Sequence, residues 1–186
     1  EIYKEFVTIT LHGQSKDALA KTKKGAWKYD VVTPGYKCNM TDIQAAIGLV
    51  ELDRYAENLA RRKEIFHAYD SVFSKRDWAL LPAHETSDKT SSHHLYLLRI
   101  KDISEVQRDE IIKEIFDQSV SVNVHFQPLP LLTAYKNLGY EINDFPIAYH
   151  KYQTEISLPV YYNLDDLQVQ QVLTAVINSV EKILKG

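Results

Sequence analysis

Tyr36, Lys37 and Asn39 stand just ahead of a strong helix start, Thr41-Asp42-Ile43-Gln44. Thr41 with Gln44 three residues later has the capping-box spacing, in which each side chain takes the other residue's backbone N–H. A helix N-terminus carries partial positive charge, so a phenol, an ammonium and an amide ahead of it could face an anionic ligand. The plainer reading is a well-capped helix with a polar lead-in. Histidines are the other chemistry-bearing candidates: His12 in His12-Gly13, the adjacent His93-His94, and His125 followed by Phe126. Neighbouring residues on a strand point to opposite faces, so His93 and His94 do not share a metal ion. No other His, Cys or acidic residue completes a metal-ligand spacing. A loop histidine is ordinarily solvated, and His125 read alone is a polar residue on an outer strand face. Lys21, Lys23 and Lys24 read as a solvated loop, and Arg61-Arg62-Lys63 as the wet side of a helix.

Pro34-Gly35 breaks whatever precedes the candidate lead-in. From Thr41 the apolar positions Ile43, Ala46, Ile47, Val50, Leu52, Tyr55, Leu59, Phe66, Tyr69 and Phe73 advance by threes, fours and sevens. That spacing predicts one helix reaching about Ser74, its face shifting at Leu52 as it leaves one core and enters another. Gly48 inside it costs roughly 1 kcal/mol relative to Ala, which predicts close packing against another element. Upstream, residues 1–11 fit the end of a helix running into a short strand. A short helix capped by Ser15 is expected to Lys21, and a half-exposed strand at Trp27–Val32.

Downstream, His93–Ile100 reads as a strand, with Leu95, Leu97 and Arg99 on one face. Ser104 opens a helix to Gln118 with Val106, Ile111, Ile115 and Phe116 inward. Ser119–Phe126 alternates with strand period. Tyr135, Leu138 and Tyr140 belong to a short helical turn, and Phe145–Tyr149 to another capped by Asn143 or Asp144. Ile156–Val160 is a short strand, and Leu164–Leu184 a final helix with Leu167, Val169, Val172, Leu173, Val176, Ile177, Val180 and Ile183 inward. The order predicts an α+β layer of three mainly antiparallel strands with helices on one side.

Composition excludes several classes. A net charge of −3 without a long block of one sign gives no reason for nucleic acid. No apolar run is long enough to cross a bilayer, and Glu1 does not open a signal peptide. The single cysteine, Cys38, excludes an intrachain disulfide framework and fits a reducing cytosol. The 186 residues suffice for one domain, or a small domain with an arm. An opening on Glu1-Ile2-Tyr3 rather than Met suggests an internal start.

Pro34-Gly35-Tyr36-Lys37-Cys38-Asn39-Met40-Thr41-Asp42-Ile43-Gln44-Ala45-Ala46-Ile47-Gly48-Leu49 resembles the segment that follows the cofactor region in sugar aminotransferases of the DegT/DnrJ/EryC1/StrS family. Ser92-His93-His94-Leu95-Tyr96 is similar to the first strand of that family's small domain. Val122-Asn123-Val124-His125-Phe126-Gln127-Pro128-Leu129 resembles its substrate-side segment, and Ser157-Leu158-Pro159-Val160 its Ser-Leu-Pro-hydrophobic strand. The resemblance covers nearly the whole chain and implies the C-terminal half of a pyridoxal-phosphate (PLP) enzyme of fold type I. A long bridging helix would lead to a small C-terminal domain with a three-stranded, mainly antiparallel sheet covered by helices. Residues 1–50 would then close the large cofactor domain with an interface loop, 51–76 bridge, and 77–186 form the small α/β domain.

The resemblance also implies roles. Relatives with Gly-x-Asn-x-Arg use the Asn on the partner subunit's cofactor phosphate and the Arg toward substrate. Those positions hold Lys37 and Asn39 here, so both become cofactor-binding candidates, and the missing Arg argues against a sugar carboxylate. Tyr36, His12, His125 and Phe126 become substrate-binding candidates, Phe126 through stacking or shape only, since it lacks a tyrosine hydroxyl. His94 is a candidate for the substrate entrance. No lysine of the chain sits in a Schiff-base context, so no catalytic residue is assigned. The intact enzyme is expected to be a cytoplasmic homodimer with shared sites, moving an amino group from glutamate to a nucleotide-linked keto-sugar, with the fragment alone inactive. Two other readings are a stand-alone dimerisation or regulatory domain, and a lysine-less relative that uses PLP for sensing or dehydration.

Overall fold

The computed structural model describes residues 1–15, 30–38 and 40–185. The chain divides into two compact units, Glu1–Arg54 and Tyr55–Gly186. In the first, α1 spans Ile2–Thr10 and α2 spans Asp42–Asp53. Thr41 caps α2 with the full capping box, its hydroxyl accepting the Gln44 N–H while the Gln44 side chain accepts the Thr41 N–H. Residues 1–11 are thus helix up to Thr10, after which Leu11 makes one antiparallel bridge to Lys37. The expected helix beyond Ser15, positions 27–29 of the strand expected at 27–32, and Lys21, Lys23 and Lys24 lie outside the described residues. The Ser15 hydroxyl accepts the Asp30 N–H at 2.9 Å.

The predicted helix from Thr41 to Ser74 is two helices, α2 and α3 (Tyr55–Phe73), divided by a turn at Arg54. The shift of the apolar face at Leu52 marks the change. α3 turns Ile65, Phe66, Tyr69 and Phe73 into a core, whereas α2 buries none of its residues. Gly48 corrects the expectation of close packing, because a Cβ there would meet nothing within 4 Å among the described residues.

The second unit holds β1 (Ala79–Leu80), β2 (Tyr96–Ile100), α4 (Glu105–Asp117), α5 (Thr133–Lys136), α6 (Pro146–Gln153), β3 (Glu155–Leu158) and α7 (Asp166–Lys185). The sheet order is β1-β2-β3, antiparallel throughout, with Leu98 opposite Ile156 and Arg99 opposite Glu155. Tyr96, Leu98, Ile100, Ile156 and Leu158 meet α3, α4 and α7 in one core with Ile111, Ile115, Val172 and Val176. Ser104 caps α4 with a second capping box through Gln107. Arg61 is half-buried rather than merely wetted: its Nε donates to the Leu164 carbonyl at 3.2 Å, tying α3 to the start of α7.

Four local expectations are corrected. Ser119–Phe126 is not a strand of the sheet and makes a single bridge, Asn123 to Ser157. Its ladder donors are diverted, since the Val124 N–H goes to the Asn123 side chain at 2.8 Å and the His125 N–H to the Glu155 carboxylate at 3.0 Å. The third strand is β1 instead. In α4 the inward stripe is Arg108, Ile111 and Ile115, so Val106 and Phe116 fall off the buried face and are exposed. Leu167, two residues from buried Val169, is exposed for the same reason. α6 begins after Phe145, which has no side-chain acceptor to cap it, with Pro146 at its first position, so neither Asn143 nor Asp144 is its cap.

Candidate functional site

Candidate residues gather in two places, one in each unit. In the first, the His12 N–H donates to the Tyr36 carbonyl at 2.9 Å and the Tyr36 N–H to the Ile9 carbonyl at 2.7 Å. With the Leu11–Lys37 bridge, these bonds set His12, Tyr36 and Lys37 side by side on an exposed edge. Two glycines permit it. A Cβ on Gly13, whose φ is +72°, would lie 1.6 Å from the Thr33 carbonyl oxygen, and one on Gly35 would lie 2.4 Å from the Gly13 nitrogen. Tyr36 is 73 % exposed, leaving its ring open to a ligand or another chain. Asn39 lies outside the described residues. The helix end is less open to an anion than its position implies, because the capping box satisfies the Thr41 and Gln44 N–H groups and Asp42 adds a negative charge to the first turn.

In the second unit, His125 sits against two polar side chains of β3. Its backbone N–H donates to Glu155 Oε2 at 3.0 Å, and its Nδ1 lies 2.8 Å from Ser157 Oγ. The Ser157 hydroxyl in turn donates to Glu155 Oε1. Burial is the largest influence on the Glu155 carboxyl and raises its pKa above the ordinary value, opposed by the Ser157 and His125 hydrogen bonds and the charge of Arg108. Arg108 is fully buried, its Nη1 donating to the Tyr152 carbonyl at 2.8 Å and its guanidinium 4.6 Å from the Tyr152 ring. Phe126 is 75 % exposed and meets His125 edge-on with ring centroids 4.7 Å apart. His125, Phe126, Leu97, Arg99, Lys151 and Tyr152 line a cavity of about 320 Å³.

Glu155 and Ser157 were missed by the sequence reading. Their signal is the alternation Glu155-Ile156-Ser157-Leu158, which puts two polar residues on one face of a strand buried along its whole length. His93 points inward, its ring 4.8 Å from that of Phe66, while His94 is exposed. Among the described residues, no group of three His, Cys, Asp or Glu is placed to hold a metal ion. Every lysine among the described residues is exposed. None is buried, the setting that makes a lysine amine a ready nucleophile.

The geometry can be set against known proteins. The model of the DegT/DnrJ/EryC1/StrS aminotransferase family matches residues 1–177. The chain belongs to that family. Spore coat polysaccharide biosynthesis protein SpsC of Bacillus subtilis is 36% identical over 100% of this chain and 48% of its own length. The UDP-4-amino-4,6-dideoxy-N-acetyl-beta-L-altrosamine transaminase of Campylobacter jejuni is 29% identical over 88% of this chain and 43% of its own. Among solved structures, Spr1654 of Streptococcus pneumoniae, assigned as a sugar aminotransferase, superposes in its PMP form with a TM-score of 0.86 and 48% identity, over 98% of this chain and 45% of that one. Its PLP form superposes with a TM-score of 0.84. The family fold is thus the α+β arrangement of fold type I aminotransferases, with the three-stranded antiparallel sheet described above. The chain spans about half the length of the curated relatives it matches.

Proposed function

We propose that this chain is the C-terminal portion of a PLP-dependent aminotransferase that moves an amino group, from glutamate, to a keto group on a nucleotide-linked sugar. The family match over residues 1–177 carries this reading. It is supported by the transaminase of a UDP-linked amino sugar among the relatives and by the PMP and PLP forms of the structural neighbour. In this reading residues 1–50 complete a cofactor domain, 51–76 bridge, and 77–186 form the small domain. His12, Tyr36, Lys37 and Asn39 reach a neighbouring subunit's site, Lys37 and Asn39 toward the cofactor phosphate. His125 and Phe126 face the sugar substrate. The enzyme is a cytoplasmic homodimer, and the 186 residues alone are inactive. No helix among the described residues is long and apolar enough to cross a membrane.

The deciding experiment measures the intact mass of the source protein before and after borohydride reduction with PLP, followed by amino transfer from glutamate to a UDP-linked keto-sugar. A mass about twice that of this chain, one reduced cofactor per subunit and formation of 2-oxoglutarate are expected. Cofactor bound without a reducible adduct would identify a lysine-less relative. The mass of this chain alone with no adduct would identify a separate module and overturn the enzyme reading.

Lys37→Ala in the intact enzyme gives a second check. Loss of a charge-assisted hydrogen bond, about 1.5 kcal/mol, should weaken PLP binding roughly tenfold. Unchanged cofactor affinity in an absorbance titration would remove Lys37 from the phosphate.

A further inference from the structure

We propose that Glu155 and Ser157 act as positioning residues that hold His125 as its Nδ1-protonated tautomer, leaving Nε2 as a hydrogen-bond acceptor for a ligand hydroxyl in the adjoining cavity. A count of protons fixes the tautomer. The backbone N–H of His125 can only donate, so Glu155 Oε2, 3.0 Å away, must accept. An ionised Glu155 then has only acceptors to offer, and its Oε1 takes the single proton of the Ser157 hydroxyl. With that proton committed, Ser157 Oγ faces His125 Nδ1 at 2.8 Å as an acceptor, and Nδ1 must carry the hydrogen. A neutral imidazole has one N–H, so Nε2 is left with its lone pair. No hydrogen-bond partner for Nε2 exists among the described residues, and His125 lines the cavity with Leu97, Arg99, Phe126, Lys151 and Tyr152.

The arrangement is built rather than incidental. Glu155 is 5 % exposed and Ser157 similarly buried, and β2 fixes both through the pairs Arg99–Glu155 and Leu97–Ser157. The charged groups facing the relay are Arg108, whose Nη1 reaches the Glu155 carbonyl at 3.4 Å, and Arg99 and Lys151 across the cavity. Burial raises the Glu155 pKa, and the Ser157 and His125 hydrogen bonds with the charge of Arg108 oppose it in favour of the carboxylate. A hydroxyl donor is the ligand class that satisfies a neutral imidazole acceptor beside two cations and an aromatic wall. The aminotransferase reading enters only in naming that donor as a hydroxyl of the sugar.

Glu155→Gln tests the count directly. The His125 N–H still requires an acceptor, so the amide must turn its oxygen to Oε2's place and its NH2 toward Ser157. The amide then donates to Ser157, Ser157 donates to Nδ1, and the proton of His125 moves to Nε2. The measurement is imidazole nitrogen NMR of the full-length protein labelled in histidine, with the His125 signals assigned by their loss in His125→Gln. An Nδ1–H signal pattern in the unaltered protein and an Nε2–H pattern in Glu155→Gln are expected. An Nε2–H pattern in the unaltered protein, or no change in Glu155→Gln, would overturn the proposal. Ser157→Ala is the second variant, and it should lose the Nδ1–H preference without any change of charge. In the amino-transfer assay, Glu155→Gln should raise KM for the keto-sugar about tenfold with kcat within about twofold. An inverted tautomer with an unchanged KM would overturn the ligand half of the proposal. Absence of amino transfer by the unaltered protein would instead count against the proposed function, since the NMR result does not depend on it.

Discussion

His93 carries a pH dependence in its burial. It is 3 % exposed, its Nδ1 finds no partner among the described residues, and it stacks edge-on against Phe66. Burial is the main reason its pKa falls below the usual value, with His84 and Lys63 adding to the fall, Glu85 opposing it and His67 contributing least. The unfolded chain therefore binds a proton at higher pH than the folded one. Stability from this group is fully present above the unfolded value of about 6.5 and is lost as pH falls through the lower folded value. Thermal midpoints should drop from about pH 7.5 to about 5.5, and His93→Asn, which tolerates the φ of 51°, should flatten that drop. An equal drop in the variant would assign the dependence elsewhere. Arg108 makes a second residue-level prediction. Its guanidinium satisfies the carbonyls of Tyr152 and Glu155, so Arg108→Met should destabilise by about 2 to 3 kcal/mol in urea unfolding.

Elements were legible where their signals are local. The boxes Thr41–Gln44 and Ser104–Gln107 lie within four residues of sequence, and both form with reciprocal bonds. Ser104→Ala should accordingly cost about 1 kcal/mol, read as a shift of the urea midpoint, and Ser104→Asp should restore most of it. What failed depended on partners distant in sequence. The period-2 pattern at Ser119–Phe126 is genuine, yet the backbone donors at its end go to side chains of Asn123 and Glu155. The site divides the same way. His125 was reachable from its flanking residues, whereas Glu155 and Ser157 joined it only once β3 was placed beside it. The inward faces of α4 and α7 were off by one or two residues at Phe116, Val106 and Leu167, where apolar character alone does not say which way a helix turns.

At the scale of the whole molecule, the two units differ in kind. Among the described residues, every buried apolar side chain of the core belongs to Tyr55–Gly186. In Glu1–Arg54, Ile2, Phe6, Ile43, Ile47, Val50 and Leu52 are all exposed. Surfaces of this kind are usually covered by another chain or domain. The 186 residues expressed alone should bind a hydrophobic dye strongly and self-associate, while the intact protein should do neither. Equal dye binding by both would mean that α1 and α2 remain bare. This surface also explains why a periodic apolar stripe from Ile43 to Leu52 did not mark a core within the chain.

The alternation along β3 has a further consequence for how the protein tolerates change. Glu155 and Ser157 share one face, Ile156 and Leu158 the other, and both faces are buried. The strand is therefore a phase reference with no slack. Removing or adding one residue between Thr154 and Pro159 would send the apolar pair to His125 and the carboxylate into the core. Such a frame-keeping segment should accept conservative replacements one at a time yet reject any single-residue insertion or deletion, whereas the exposed turn around Gly139 should absorb them.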